Sequence, residues 1–291
     1  MNYFFQSIKT LSYWKYALFS KDAIKTFFAV LGAFWLILEM VRASKKYNLD
    51  TVPPPLLMCL FIISIIIVLI SRRPVTKIKY RHAGKDLTVE VKIGNLFEEK
   101  GQKVISTNTT FDTDIANGVI AKNSLQGQFT DLYYPQSIVP LNQLLDAGLT
   151  NIESTEFNKA AGKNRKYPMG TVVRINIGTE VFYWLAMSDL NYDNTASTTL
   201  ENVLFSVEEL WKFIAAKGEN TTIIVPMIGK GRGRLSTNSK RVIARIAQSF
   251  VKASEDQVFS NKLLIMIHPS DAENFEINLF EVSDLLRHYC P

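Results

Sequence analysis

The sequence predicts two membrane-spanning helices followed by one α/β domain. Three observations carry that expectation: two long apolar stretches within the first 75 residues, a crowd of basic residues around them, and alternating strand-like and helix-like patterns from Lys77 onward. A chain of 291 residues has room for such an anchor plus one domain of ordinary size. The expected divisions are residues 1–23 as an interfacial segment, 24–75 as a helical hairpin and 76–291 as the folded domain.

The first apolar stretch, Ile24–Val41, is broken only by Lys25, Thr26 and Glu39, and the second, Val52–Ile70, has Ser64 as its only hydroxyl. Crossing hydrocarbon as a helix takes about 20 apolar residues. A helix that is apolar on every side does not belong on a soluble surface. A cleaved signal peptide is argued against by the long aromatic extension before the first stretch and by the lack of a small-residue cleavage site. Pro53, Pro54 and Pro55 fall at the start of the second helix, where missing N–H groups do least harm. In residues 3–19, Phe4, Ile8, Leu11 and Leu18 share one helical face while Lys9 and Lys15 can snorkel, which suggests a helix lying in the membrane interface. Glu39 sits near the outer end of its stretch, at headgroup level; the alternative is a pore-lining acid.

Charge is distributed unevenly. Residues 1–81 hold 12 of the 33 Lys/Arg and 3 of the 27 Asp/Glu, so the net charge of +6 comes from the anchor and the rest of the chain is acidic. A nucleic-acid-binding domain would carry its own basic excess, so no nucleic-acid partner is expected. Lys9, Lys15, Lys21 and Lys25 precede the first stretch, Arg72, Arg73, Lys77, Lys79 and Arg81 follow the second, and only Arg42, Lys45 and Lys46 lie between. That bias places both termini in the cytoplasm of a multi-pass inner-membrane protein. Cys59 and Cys290 are too far apart to frame a disulfide or metal site, and a reducing compartment fits.

In the domain, Leu87, Val89, Val91 and Ile93 alternate with polar residues as in a strand. Val104–Thr107, Thr222–Met227 and Leu263–Ile267 read as short buried strands, and Val172–Ile177 with Val181–Met187 as a hairpin around Gly178–Thr179. Helical periodicity marks Leu141–Ala147, Leu200–Ala216, Ser236–Ala253 and Ala272–Arg287, with Ser236 and Ser270 as caps of the last two. Helices on both faces of a mixed sheet follow. Residues 124–170 fit no regular pattern and are expected to form long loops. Trp184 and Trp211 read as core aromatics.

Chemistry concentrates in two loops. In Val225-Pro-Met-Ile-Gly-Lys-Gly-Arg-Gly-Arg-Leu235, a strand ends and Gly229, Gly231 and Gly233 alternate with Lys230, Arg232 and Arg234 ahead of a helix. Backbone N–H groups can approach a phosphate closely there, although the spacing is neither the Walker nor the dinucleotide pattern. The second loop, Asn108-Thr-Thr-Phe-Asp-Thr-Asp-Ile-Ala-Asn-Gly118, also leaves the carboxyl end of a strand, where α/β sheets bind ligands. Gly94-Asn95-Leu96 follows a third strand. Asp112 and Asp114 read as turn and cap residues, the alternative being a metal or catalytic pair. His82, His268 and His288 show no metal spacing; His268, after a buried strand, is placed to rim the crevice.

From Leu87 to the C-terminus these segments resemble the macro domain, a three-layer α/β/α module with a mixed sheet that binds ADP-ribose. Gly94-Asn95-Leu96 is similar to the family's Gly-Asp-Ile motif at the adenine, with Asn in place of Asp. Val104-Ile-Ser-Thr-Asn-Thr109 resembles its Ile-Val-Asn-Ala-Ala-Asn segment, and Pro226-Met-Ile-Gly-Lys-Gly231 matches Pro-x-Ile-x-x-Gly. The triple-glycine run of the family's first loop is missing and only Gly118 is left. The catalytic Asn of macro-domain hydrolases falls on Thr109, or on Asn108 with a one-residue shift. A narrower resemblance rests on Asn108, Phe111, Asp112 and Thr113, on Ser124, Leu125, Gly127, Gln128 and Phe129, on Tyr167, Pro168, Gly170 and Thr171, and on the Pro226–Gly233 loop. These look like the macro-like domain of Thoeris antiphage effectors, in the type II version with two membrane helices.

The resemblance implies a ligand-gated membrane effector and not an enzyme. It implies an ADP-ribose derivative as ligand, specifically histidine–ADP-ribose released by a TIR-domain partner that consumes NAD. It further implies a homo-oligomer that acts on the lipid bilayer, with no cofactor and no metal. The ligand contacts it implies are Asn95, Leu96, Asn108, Thr113, Asp114, Gly118 and Val119, then Met227, Ile228, Gly229, Lys230, Gly231, Arg232 and Gly233; His268 joins them from its place beside the crevice. The alternatives are a membrane-tethered ADP-ribosyl hydrolase and an ADP-ribose-binding scaffold.

Overall fold

The computed structural model describes residues 3–43, 52–217, 220–228, 235 and 237–290. Gly229, Lys230, Gly231, Arg232, Gly233 and Ser236 lie outside the described residues, as do Lys45 and Lys46. The chain divides into two units, residues 1–75 with 278–281, and residues 76–277 with 282–291.

In the first unit the surface segment is two helices, α1 (Tyr3–Ser7) and α2 (Leu11–Phe19), and not one. Thr10 separates them by capping α2, its hydroxyl accepting from the Tyr13 N–H at 3.2 Å. The single face drawn through Phe4, Ile8, Leu11 and Leu18 is therefore interrupted. The apolar stretches form α3 (Lys21–Ala43) and α4 (Pro54–Ser71), both long and apolar enough to cross a membrane. Asp22 meets Arg72 at 3.5 Å and the Phe27 and Phe61 rings meet edge-on at 5.3 Å, so the two helices run antiparallel. Proline at the first turn of α4 removes donors that have no intrahelical acceptor. The Ser64 hydroxyl donates to the Leu60 carbonyl at 2.8 Å and so satisfies itself within the helix. Glu39 pairs with Arg42 one turn on, at 3.1 Å.

The second unit is built on a mixed sheet. Its strands are β1 (Lys77–Arg81), β2 (Thr88–Ile93), β3 (Gln102–Asn108), β6 (Val172–Ile177), β7 (Glu180–Leu190), β8 (Ala196–Ser197), β9 (Ile223–Pro226) and β10 (Lys262–Ile267). They run in the order β1-β2-β10-β9-β3-β7-β6, with β8 on β7; β4 (Thr155–Glu156) and β5 (Arg165–Lys166) pair separately. The five central strands from β2 to β7 are mutually parallel, while β1 and β6 add antiparallel edges. The hairpin around Gly178, at φ +57°, is β6–β7.

Side chains alternate across the sheet, as strand geometry requires. Phe182, Trp184 and Ala186 of β7 join Ile105 of β3 under α5 (Leu125–Tyr133) and α6 (Val139–Leu149), with Phe129, Leu141 and Leu145 facing them. On the opposite face Tyr183 meets Phe213 of α7 (Leu200–Lys217) at 6.0 Å. There Trp211 packs on Phe250 of α8 (Ser239–Asp256) at 5.7 Å and donates its indole N–H to the Ser249 hydroxyl at 3.0 Å. This is the three-layer arrangement expected.

Four expectations in this unit need correction. Residues 124–170 are not loops outside the helix expected at Leu141–Ala147, which is α6: they also carry α5. The α8 cap is Asn238, whose side chain accepts from the Lys240 N–H at 2.9 Å. The helix expected over Ala272–Arg287 is two, α9 (Pro269–Asn274) and α10 (Leu279–Tyr289), split where Glu276 takes φ +45°. His268, not Ser270, caps α9, and Pro269 occupies its first turn.

Candidate functional site

A cleft of about 680 Å³ opens outside the carboxyl ends of β2, β10, β9, β3 and β7. Parallel strands make such a crevice because every loop on that edge leaves a strand in the same direction. One end is built from Gly94, Asn95 and Leu96 after β2 and from the turn after β10. The middle holds Met227 and Ile228 after β9, and the far end holds Asn108 of β3 with Ser188 and Asn194 beyond it. At the end of β3 the register slips: Thr107 pairs with Ala186 but Asn108 with Ser188. The extra residue, Met187, enters the cleft wall, as bulges beside sites commonly re-aim a side chain.

The loop after β3 is held from beneath by buried polar groups. The Asn108 carboxamide oxygen accepts from the N–H groups of Thr110 and Asp112 at 3.0 and 3.3 Å, and the Thr110 hydroxyl lies between that oxygen and the Asp112 carboxylate. Asp112 also takes the Lys163 N–H at 2.7 Å and the Lys159 ammonium at 2.5 Å. Both side chains of the Asp112–Lys159 pair are 1% exposed, so each charge depends on the other. Phe111 takes φ +50°, unusual for a bulky residue. Its buried ring stands edge-on to Tyr167 at 5.8 Å. The expected structural role of Asp112 is what the geometry displays.

Of the residues singled out in the sequence, Asn95, Leu96, Asn108, Val119, Met227, Ile228 and His268 line the cleft. Thr113, Asp114 and Gly118 do not: they shape the loop behind it. Thr113 donates its hydroxyl to the Asn142 carboxamide oxygen at 2.7 Å. Asp114 accepts from the Asn117 side chain and backbone at 2.6 and 3.0 Å, and these bonds hold its carboxyl below the usual range. The Asp114 carbonyl accepts from the Ile120 N–H at 2.9 Å, which turns Val119 to Ala121 toward the cleft. Gly118 stands at φ +74° in that turn.

Two details limit what these side chains can offer a ligand. Asn95 caps the short 3-10 turn Leu96–Glu98: its carboxamide oxygen accepts the Phe97 N–H at 3.1 Å and its nitrogen donates to Glu98 at 3.2 Å. Asn108 has spent its oxygen on the loop, so only its nitrogen remains to reach the cleft. Thr109, the other position matched to the hydrolase Asn, is buried and donates to Asp189 at 2.8 Å. Among the described residues no three His, Cys, Asp or Glu side chains gather to hold a metal.

The profile of a family described as Thoeris protein ThsA, Macro domain, matches residues 89–268, more than half the chain. The chain belongs to the ThsA macro-domain family. Thoeris protein ThsA of Bacillus amyloliquefaciens (strain Y2) is 29% identical over 148 residues, which are 49% of this chain and 48% of that protein. The chain thus spans about half the length of the curated relative it matches. Among solved structures, the Oceanobacillus iheyensis macrodomain with ADP superposes with a TM-score of 0.50 at 13% identity, covering 73% of this chain and 98% of that one. The same macrodomain with MES bound gives 0.49 at 12% identity, over 73% and 97%. The sheet, its five parallel central strands and its two helical layers are therefore those of a macrodomain.

Several cleft residues were missed in the sequence: Gln126, Met187, Asn194, Asp271 and Asn274. The signal for Asn194 is present, since it follows the carboxyl end of β7, whereas Met187 enters the cleft through a bulge within the strand. Reading β7 only as half of a hairpin hid its parallel pairing with β3. Asn274 falls inside the single helix expected over Ala272–Arg287 and Asp271 just before it, so neither stands out as a loop residue.

Proposed function

We propose that the cleft binds an ADP-ribose-type nucleotide and that the chain is a membrane effector of antiphage defence, switched on by that ligand. The observation that carries the reading is the cleft itself, extended across five parallel strand ends in a member of the ThsA macro-domain family. Its strand order suggests how such a ligand lies. The base occupies the β2/β10 end, the diphosphate sits at the middle by the loop after β9, and the terminal ribose with its substituent reaches β3 and β7. A solved macrodomain of the same fold holds ADP. The signal is proposed to be histidine–ADP-ribose made by a TIR-domain partner, in keeping with the type II resemblance.

Binding without hydrolysis is favoured by Asn108, whose carboxamide oxygen is committed to its own loop. The bilayer is the proposed target because α3 and α4 are apolar and largely uncovered within their unit. With the charge bias of the flanks, both termini belong in the cytoplasm and the protein in the inner membrane. Two helices enclose no conducting path alone, so toxicity requires several copies. The ligand promotes their assembly only if it binds the assembled form more tightly.

The test uses the full-length chain in dye-loaded liposomes. Histidine–ADP-ribose is expected to cause leakage together with a shift to larger species, and titration calorimetry is expected to show binding without release of free ADP-ribose. Binding with neither leakage nor a size change rejects the effector and favours a scaffold. Turnover of the ligand rejects the binding module and favours a hydrolase.

A further inference from the structure

Within the proposed nucleotide reading, the end of the cleft that takes the base poses a chemical question. Asn95 stands where the family's adenine motif carries Asp, but both ends of its carboxamide are engaged by Phe97 and Glu98. The oxygen that would accept from a base already serves the turn that Asn95 caps. The parallel register pairs Ile93 with Ile267, and the Gly94 N–H donates to the Ile267 carbonyl at 2.9 Å. The chain leaving β10 therefore faces the same end of the cleft as Asn95.

That chain carries Asp271 and Asn274, three apart on α9 and so on one helical face, and both line the cleft. No hydrogen bond or ion pair among the described residues uses the Asp271 carboxylate. Burial pushes its carboxyl up, and neighbouring His268 draws it only partly back. Nor does His268 supply a donor from Nδ1: that nitrogen sits 2.7 Å from the Ser270 hydroxyl and accepts the Ser270 N–H at 3.4 Å. A half-buried carboxylate without a donor is costly, and an arriving N–H relieves that cost.

We propose that Asp271 and Asn274 read the hydrogen-bonding edge of a 6-aminopurine, Asp271 accepting from the exocyclic amine and Asn274 donating to the adjacent ring nitrogen. An ionised carboxylate can only accept, whereas a carboxamide can turn to donate or accept. The pair thus presents an acceptor beside a donor, the complement of the amine and N1 of adenine. A 6-oxopurine presents the reverse pattern, its oxygen facing the carboxylate. Leu96, buried beneath this end, gives the ring an apolar floor.

The inference deepens the nucleotide reading and rests on it, and the experiment separates the two. Calorimetry of the full-length chain in detergent compares ADP-ribose with its inosine counterpart, for the parent and for Asp271→Asn. The parent is expected to prefer the amino base by about ten- to a hundredfold, the range set by a lost or opposed hydrogen bond to a charged group. Asp271→Asn is expected to bring the two ligands within about threefold, because the new carboxamide can turn to meet either edge. Asp271→Ala should weaken ADP-ribose binding while the inosine ligand binds at least as tightly as it does to the parent, because the opposed carboxylate is gone, a pattern that misfolding cannot give. If the parent binds neither ligand, the nucleotide reading itself fails. A parent that binds both equally, or an Asp271→Asn variant that keeps the parent's preference, overturns the assignment of Asp271 alone.

Discussion

Helices α4 and α8 are each 18 residues long, yet they handle apolar residues in opposite ways. In α8, Val242, Ile243, Ile246, Ala247 and Phe250 are fully buried, while Arg241 and Lys252 stand on the solvent side. In α4 there is no charge at all, and only Ser64 and Val68 are buried in its unit. Phe61, Ile63 and Ile66 remain 40–50% exposed, with 49%, 42% and 48% of their surface uncovered. The first pattern solves the hydrophobic effect by folding. The second leaves it to the surroundings, which points to hydrocarbon as the missing cover. Stability in the domain therefore depends on internal partners, and stability in the hairpin depends on its solvent.

The largest effect should come from breaking an internal partnership in the domain. Lys159→Met leaves the Asp112 carboxylate buried and unpaired, an expected loss of about 3–5 kcal/mol. Chemical denaturation of the full chain in detergent measures it. A loss under about 1 kcal/mol would mean water reaches Asp112 and the loop after β3 is less tightly held than its hydrogen bonds suggest.

Next is a change aimed at the hairpin. Ile66→Arg places a charge at a half-exposed position of α4. In hydrocarbon it should cost about 2.5–3.5 kcal/mol and shift the protein from the membrane to the soluble fraction. At an aqueous surface the change would be nearly neutral. Fractionation with a carbonate wash separates the outcomes, and an unchanged membrane fraction would remove the contrast between α4 and α8.

The smallest effect concerns pH. Glu90 is buried beneath Lys77 and Lys262, at 2.7 and 3.0 Å. Burial alone would push its carboxyl up, but the hydrogen bonds and charges of the two lysines outweigh it and hold the pKa below the ordinary 4.5. The ionised form is favoured by folding, so the contribution is fully present above about pH 4.5 and is lost as the pH falls through the depressed value. On the order of 1 kcal/mol is at stake, because both lysines are partly solvated. The melting midpoint should fall below pH 4.5, and Glu90→Gln should flatten that part of the curve; an unchanged acid limb would assign acid sensitivity to other carboxylates.

Much of the fold was legible because its signals are local. Five central strands showed as short apolar runs or alternation, and α7 and α8 as apolar stripes. The missed α5 shows why the rest was not. Leu125-Gln-Gly-Gln-Phe-Thr-Asp-Leu-Tyr133 has few apolar residues and a glycine, so it carries no strong stripe. It forms a helix because Ser124 caps it, accepting the Gly127 N–H at 3.0 Å, and because Gly127 lets it sit on the preceding turn. A Cβ there would fall 2.2 Å from the Ala121 carbonyl oxygen. The residues that carried the family resemblance were likewise found for their pattern, although Phe111, Asp112, Gly127 and Tyr167 turn out to build the loop and not to line the cleft.

The sequence by itself determined where the two long apolar helices lie, which segments are central strands, and that a cleft would open beside the loops after strand ends. Each of these depends on residues adjacent in the chain, through hydrophobic period, charge bias or turn chemistry. Only the tertiary structure decided which strand ends stand side by side, that Asn95 is consumed by its own turn, and that Asp271 from after β10 faces the same end of the cleft. The turn at Asn95 is local, but the placement of strand ends and of Asp271 depends on pairings between segments more than 170 residues apart, such as Ile93 with Ile267. Sheet hydrogen bonds join main chains whatever their side chains, so no local pattern records which strand lies next to which.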